Sequence, residues 1–197
     1  MSAPSTDLHA PVFLVAMPQI QDPFFSQSVV LLIDHQPEGS FGLIINRATE
    51  LTVKEVLDGL EIEWHGASGA MTHFGGPVQP QMGTVLFDEG TERLAGGEET
   101  TLEISDGIRI TQHIGDLSAI AASPPEGFRL LLGYAGWGQG QLELEIERND
   151  WLIAPLETEL LFQPDPESVW GRVLGSLGID PASLPSWTEG NDPERVN

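Results

Sequence analysis

The amino-acid sequence predicts a single α+β domain, and three observations carry that expectation. Residues 28–33 and 41–46 are almost continuously apolar, as in strands of a sheet covered on both faces. A covering layer is then required, and Thr52 with Glu55 three residues later is the signature of a capped helix. The chain of 197 residues shows no internal repeat, no heptad pattern and no second composition regime, so one core with short appendages accounts for it.

The elements follow from local chemistry. Residues 12–17, 28–33 and 41–46 read as three strands of one meander, separated by Pro18, Asp22-Pro23 and Gly39. A helix over 53–60 carries Val53, Val56, Leu57 and Leu60 as its buried stripe. Residues 61–80 have few periodic apolar positions and include His65, His73, Gly75, Gly76, Pro77 and Pro80, so they read as a long ordered loop. A strand at 84–87 leads into an acidic connection, 88–99, and then a hairpin of 101–104 with 108–111 about Asp106-Gly107. A helix over 114–122 precedes an apolar strand, 128–132. Gly133 to Gly140 then reads as a glycine turn opening a charged helix at 142–148. A short strand, 151–154, is closed by Pro155, and Pro166 starts a helix with Val169, Trp170, Val173, Leu174 and Leu177 on one face, ended by Gly178. Residues 1–11 are expected to be a flexible leader, 12–180 the domain, and 181–197 a mobile acidic tail bearing Trp187.

Composition narrows the function. With no cysteine, disulfides, thiolate metal sites and cysteine nucleophiles are excluded together. Thirty acidic residues against eight basic ones give a formal charge of −22, Lys54 is the only lysine, and the arginines are scattered singly. Such a field repels polyanions, so nucleic acid is a poor partner. No apolar run approaches the roughly 18 residues of a membrane-spanning helix, and the first residues lack the features of a signal peptide. The cytoplasm is the expected location.

The run Gly133-Tyr134-Ala135-Gly136-Trp137-Gly138-Gln139-Gly140-Gln141-Leu142-Glu143 is the most ordered feature of the chain. As an anion cradle it lacks a cation before Arg148, it carries Glu143, Glu145 and Glu147, and its spacing matches neither nucleotide fingerprint. Tyr134 and Trp137 beside glycines offer ring faces to a planar ligand or peptide, or else both fill core. A second glycine turn, His73-Phe74-Gly75-Gly76-Pro77, resembles an oxyanion loop only superficially, since no G-x-S-x-G elbow exists. The histidines lack ligand-pair spacing, so no metal or cofactor is expected. His35 ends one meander strand and Asn46-Arg47 the next. If these ends adjoin, the three residues cluster on one rim and either bind a carboxylate or satisfy turn carbonyls.

Several segments together resemble the AlgH/YqgE family: Met17-Pro18-Gln19-Ile20-Gln21-Asp22-Pro23-Phe24-Phe25, Ser28-Val29-Val30, Gly42-Leu43-Ile44-Ile45-Asn46-Arg47, Gly75-Gly76-Pro77-Val78, Leu132 to Gly138, Gly140-Gln141-Leu142-Glu143 and Asn149-Asp150-Trp151-Leu152. They occur in the family's order over about residues 13–178. The resemblance implies an α+β fold whose bifurcated, mostly antiparallel sheet is curled into a pseudo-barrel with helices packed outside. It implies small bacterial cytoplasmic proteins, often labelled transcriptional regulators on genetic grounds, with no accepted catalytic set to carry over. The positions matching its motifs are candidates for a shared surface: Asp22, Pro23, His35, Asn46, Arg47, Gly75, Gly76, Pro77, Tyr134, Gly136, Trp137, Gly138, Gly140, Glu143 and Asn149. The chain departs from the pattern at Gln27, where a basic residue is common, at Ala48, where proline usually follows Asn-Arg, and at Phe87, where a histidine often ends the strand.

The expected function is therefore a regulatory or adaptor protein that binds a small ligand or a protein partner through a glycine and aromatic surface. An enzyme acting on a small metabolite, with a pocket at His35, Asn46 and Arg47, is the alternative. Direct DNA contact comes last because of the charge, and subunit number is not written in the sequence.

Overall fold

The computed structural model describes residues 8–88 and 100–185. Ten strands form one mostly antiparallel sheet curled into a half-barrel, with four α-helices among the described residues. The meander forms as expected, from β1 (Val12–Ala16), β2 (Val29–Gln36) and β3 (Gly39–Ile44). It is followed by β4 (Ala48–Thr52) and α1 (Val53–Asp58), where Thr52 and Glu55 close the reciprocal capping box. Such a cap contributes about 1 kcal/mol.

The expected loop at 61–80 is a correction. It contains β5 (Met71–Phe74) and the start of β6 (Val78–Asp88), whose period-2 pattern is hidden by Gly75, Gly76, Pro77 and Pro80. The hairpin of β7 (Thr101–Ser105) and β8 (Ile108–Thr111) and the helix α2 (Ile114–Ala122) form as read. The acidic connection lies outside the described residues beyond Asp88.

The glycine segment is the second correction. It does not turn after Leu132; β9 runs from Phe128 to Gly138, and only Gln139-Gly140 turn into α3 (Gln141–Glu147). Glycine spacing signalled a turn, but here glycines are required inside a strand. One edge of β9 takes β6, from Phe87 opposite Phe128 to Val78 opposite Tyr134. The other edge takes β5 in parallel at Leu131 and Leu132, then β3 antiparallel from Ala135 to Gly138. The sheet therefore forks at residue 133. There the Gly75 amide donates to the Leu132 carbonyl and the Ile44 amide to the Gly75 carbonyl, both at 2.8 Å. A Cβ on Gly76 would lie 2.1 Å from the Tyr134 carbonyl carbon, and one on Gly133, at φ +72°, 2.2 Å from the Gly76 oxygen. Only glycine lets these two backbones cross.

The chain then adds β10 (Trp151–Ala154), which pairs with β1, and α4 (Glu167–Ser176) after Pro166. Alternate residues of β1, β2 and β3 enter two different cores, which explains their continuous apolarity. Phe13, Val15, Val29, Leu31 and Leu43 pack with Val169, Val173 and Leu174 of α4. Leu14, Val30, Leu32 and Ile44 pack with Leu142 of α3 and with Trp137 and Trp151. A third core joins α1 and α2 to β6 and β9 through Leu57, Ile120, Val85 and Leu130. At the ends, Leu8 is buried in the second of these cores and a short 3-10 turn at Pro181–Ser183 brings Leu184 against the first. Residues 1–7 of the expected leader and 186–197 of the expected tail, Trp187 included, lie outside the described residues.

Candidate functional site

Four segments meet at a cleft of about 870 Å³ between the β3–β4 connection and the start of α4. The first is the turn before β2. Asp22 accepts the Phe24 amide at 2.8 Å and shapes an Asx-type turn that leaves Phe24 half exposed. The second is Asn46-Arg47-Ala48-Thr49. Asn46 is buried, accepts the Val29 amide at 2.7 Å and donates to the Gln27 carbonyl at 2.9 Å, so it clamps the turn against the sheet. Gln27 sits at φ +53° in that clamp. The third is Phe74, whose ring stacks on Phe24 at 5.7 Å. Pro164, Asp165, Pro166 and Glu167 complete the lining.

Arg47 is the cation of this cleft. Its Nη2 donates to the Ser26 carbonyl, and its Nε is buried with no acceptor. It makes no ion pair among the described residues, whereas Lys54, Arg109 and Arg148 pair with Asp58, Glu103 and Asp150.

Beneath the cleft lies a pair that sequence reading missed. Arg129, 4% exposed, donates to the Leu161 carbonyl, to the Gln163 carbonyl and to His73 Nε2. Burial, then the neighbouring guanidinium, pushes His73 down to about 3; burial pushes Arg129 down to about 10. His73 is therefore neutral with its proton on Nδ1, an atom that is buried without a partner. The signal was available: Arg129 is a charge inside an otherwise apolar strand.

The expected cluster of His35, Asn46 and Arg47 does not form. Antiparallel register sets His35 opposite Ser40, while Asn46 binds Val29, six residues back along β2. At about 3.3 Å per residue the two ends lie roughly 20 Å apart. His35 instead bonds Ser40 Oγ at 2.8 Å and faces Glu143 at 3.8 Å.

Tyr134 and Trp137 do not share a surface either, because they point to opposite faces of β9. Trp137 fills core: its indole N–H and that of Trp151 both donate to Glu145 Oε2 at 2.8 Å. Tyr134 packs on Phe41 at 5.0 Å and lines a separate groove of about 950 Å³ with Ile33, Met82, Ile110 and His113. Gly75, Gly76 and Pro77 belong to the fork and its exit. Gly136 and Gly138 are strand residues, Gly136 with a side chain's room taken by the Tyr134 ring. Gly140, at φ +71°, starts α3, and Asn149, at φ +60°, ends it. No helix of the described residues is long and apolar enough to cross a membrane, and no group of three or more His, Asp or Glu there could hold a metal ion.

Known proteins share this architecture. The AlgH-like family model matches residues 13–182. A UPF0301 protein of Thioalkalivibrio sulfidiphilus is 38% identical over 170 residues, 85% of this chain and 89% of that one. A UPF0301 protein of Myxococcus xanthus is 38% identical over 178 residues, 89% of this chain and 94% of that one. The solution structure of the AlgH protein from Pseudomonas aeruginosa superposes with a TM-score of 0.72 at 35% identity, covering 91% of this chain and 94% of its own. The crystal structure of a Corynebacterium diphtheriae protein gives 0.69 at 27% identity, covering 84% and 85%. The chain, forked sheet and glycine crossing included, belongs to the AlgH-like family.

Proposed function

We propose that this chain is a cytoplasmic regulatory or adaptor protein that recognises its small ligand or protein partner at the Arg47 cleft. One observation carries the reading: Arg47 is fixed on the Ser26 carbonyl yet left without a carboxylate among the described residues, in an acidic chain. Family-like segments built around Asp22-Pro23-Phe24 and Asn46-Arg47 border it, together with Phe74 beside the Gly75-Gly76 crossing. The alternative of a metabolite enzyme loses its motivation, since His35 lies at the far end of the hairpin from Asn46. Direct DNA contact is disfavoured by the charge of −22.

Thermal melting of the full chain in low- and high-molecular-weight fractions of its own cell extract tests this reading. A species bound only by the folded state raises the melting temperature. One of the fractions should do so for wild type and for Tyr134→Ala, and fail to do so for a Phe24→Ala, Phe74→Ala variant. Stabilisation that survives the double change but disappears in Tyr134→Ala moves the site to the groove and overturns the proposal.

A further inference from the structure

We infer that the Arg47 cleft takes a small monocarboxylate carrying an apolar ring, an inference that rests on the cleft reading above and names its ligand class. Its basis is the distribution of cations. Of the six lysines and arginines described, three pair with carboxylates on the surface. The other three, Arg47, Arg129 and Arg172, make no ion pair among the described residues, and they lie around one segment. Arg129 donates to the Gln163 carbonyl, Arg172 to Gln163 Oε1, and Pro164 lines the cleft with Arg47. In a chain with 30 acidic residues, three guanidiniums gather around one short segment, and Asp165 and Glu167 of that segment offset part of their charge.

Burial divides their roles. Arg129 is 4% exposed and saturated by carbonyls and His73, so it supplies potential and holds the wall without touching a ligand. Arg47 lines the cleft and holds only one acceptor, so its remaining Nη donors, the buried Nε aside, fit an oxyanion. Asp165 and Glu167 line the same cleft, and they oppose a dianion such as a phosphate monoester more than a single carboxylate. The Phe24 and Phe74 rings, stacked at 5.7 Å with Phe24 46% exposed, give an apolar portion its contact.

Matched probes separate charge from shape. 3-Phenylpropanoate and its neutral amide, 3-phenylpropanamide, are titrated to about 10 mM into the nitrogen-15-labelled full chain, a concentration that populates millimolar complexes. The carboxylate should move the amides of Phe24, Gln27, Arg47 and Phe74 saturably and bind about tenfold or more tighter than the amide. Arg47→Gln should remove that preference, and Arg148→Gln, a surface ion-pair change, should leave it intact. The comparison within wild type needs no variant to fold. Equal binding of both probes at these amides overturns the carboxylate assignment and leaves the cleft reading standing. If neither probe moves them while extract still stabilises in a Phe24- and Phe74-dependent way, the ligand class is wrong and the site is right. If neither effect is seen, both fall.

Discussion

The fork and the cleft are built from neighbouring family-like segments, yet they use their unusual residues for opposite ends. At the fork, Gly75, Gly76 and Gly133 lack side chains because two backbones cross there, and nothing is left open to a partner. At the cleft, Asn46 and Arg47 stand side by side and divide the work. Asn46 commits both its carbonyl oxygen and its amide nitrogen to the turn, while Arg47 is held in place and left with donors to spare. A distinctive sequence is therefore not by itself a functional surface. What separates the two regions is whether the polar and steric demands of the residues are met within the chain.

Substitutions sharpen this contrast, and the largest effect belongs to the fork. Gly76→Ala or Gly133→Ala drives a methyl group to within about 2.2 Å of backbone, and should cost more than about 4 kcal/mol or prevent folding, read by denaturant melts and soluble yield. Asn46→Ala leaves the Val29 amide and the Gln27 carbonyl unsatisfied, at about 1–3 kcal/mol each, so a loss of roughly 2–6 kcal/mol is expected in the same assay. A loss below about 1 kcal/mol would mean that water replaces the clamp.

The buried pair beneath the cleft gives a pH signature. His73 is held near 3 in the fold against 6.5 in the unfolded chain, so between those values the unfolded state binds a proton that the folded state refuses. Stability from this group is complete above pH 6.5 and falls with pH by about 1.4 kcal/mol per unit below it. His73→Gln still offers Arg129 an acceptor and does not titrate, so the difference in stability between wild type and variant should shrink or grow with that slope between pH 6 and about 4. Parallel profiles would show that His73 is accessible to protons in the fold. Arg47→Gln is expected to have the smallest effect on stability, within about 1 kcal/mol, because it removes one carbonyl bond together with an unsatisfied buried Nε.

The sequence disclosed most of the scaffold, and the reasons for its failures are physical. Continuous apolar runs at residues 28–33 and 41–46, the Thr52 and Glu55 box, and the Asp106-Gly107 hairpin are local signals, and each element formed close to where they placed it. The strand within 71–74 and the extension of β9 to Gly138 were hidden because their glycines answer to a crossing between residues 58 positions apart in sequence, Gly75 and Gly133. The site was harder to read. Placing His35 beside Arg47 required the direction of each strand as well as their pairing, and antiparallel order put them at opposite ends. The signal for Phe24 is a weak one, adjacent aromatics after Asp22-Pro23 in a turn, which is unusual for a solvent-facing segment. The wall at 164–167 is reached only through tertiary packing, and no local pattern announces it.

Native mass spectrometry of wild type and Arg47→Gln, each gently purified from the protein's own cells, tests the central claim most directly, because charge states report folding and mass reports what is bound. The account predicts the same compact charge-state distribution for both chains, with a reproducible adduct or partner on wild type alone. An adduct or partner retained by Arg47→Gln, or an unfolded distribution for that variant, would contradict it and return Arg47 to the architecture.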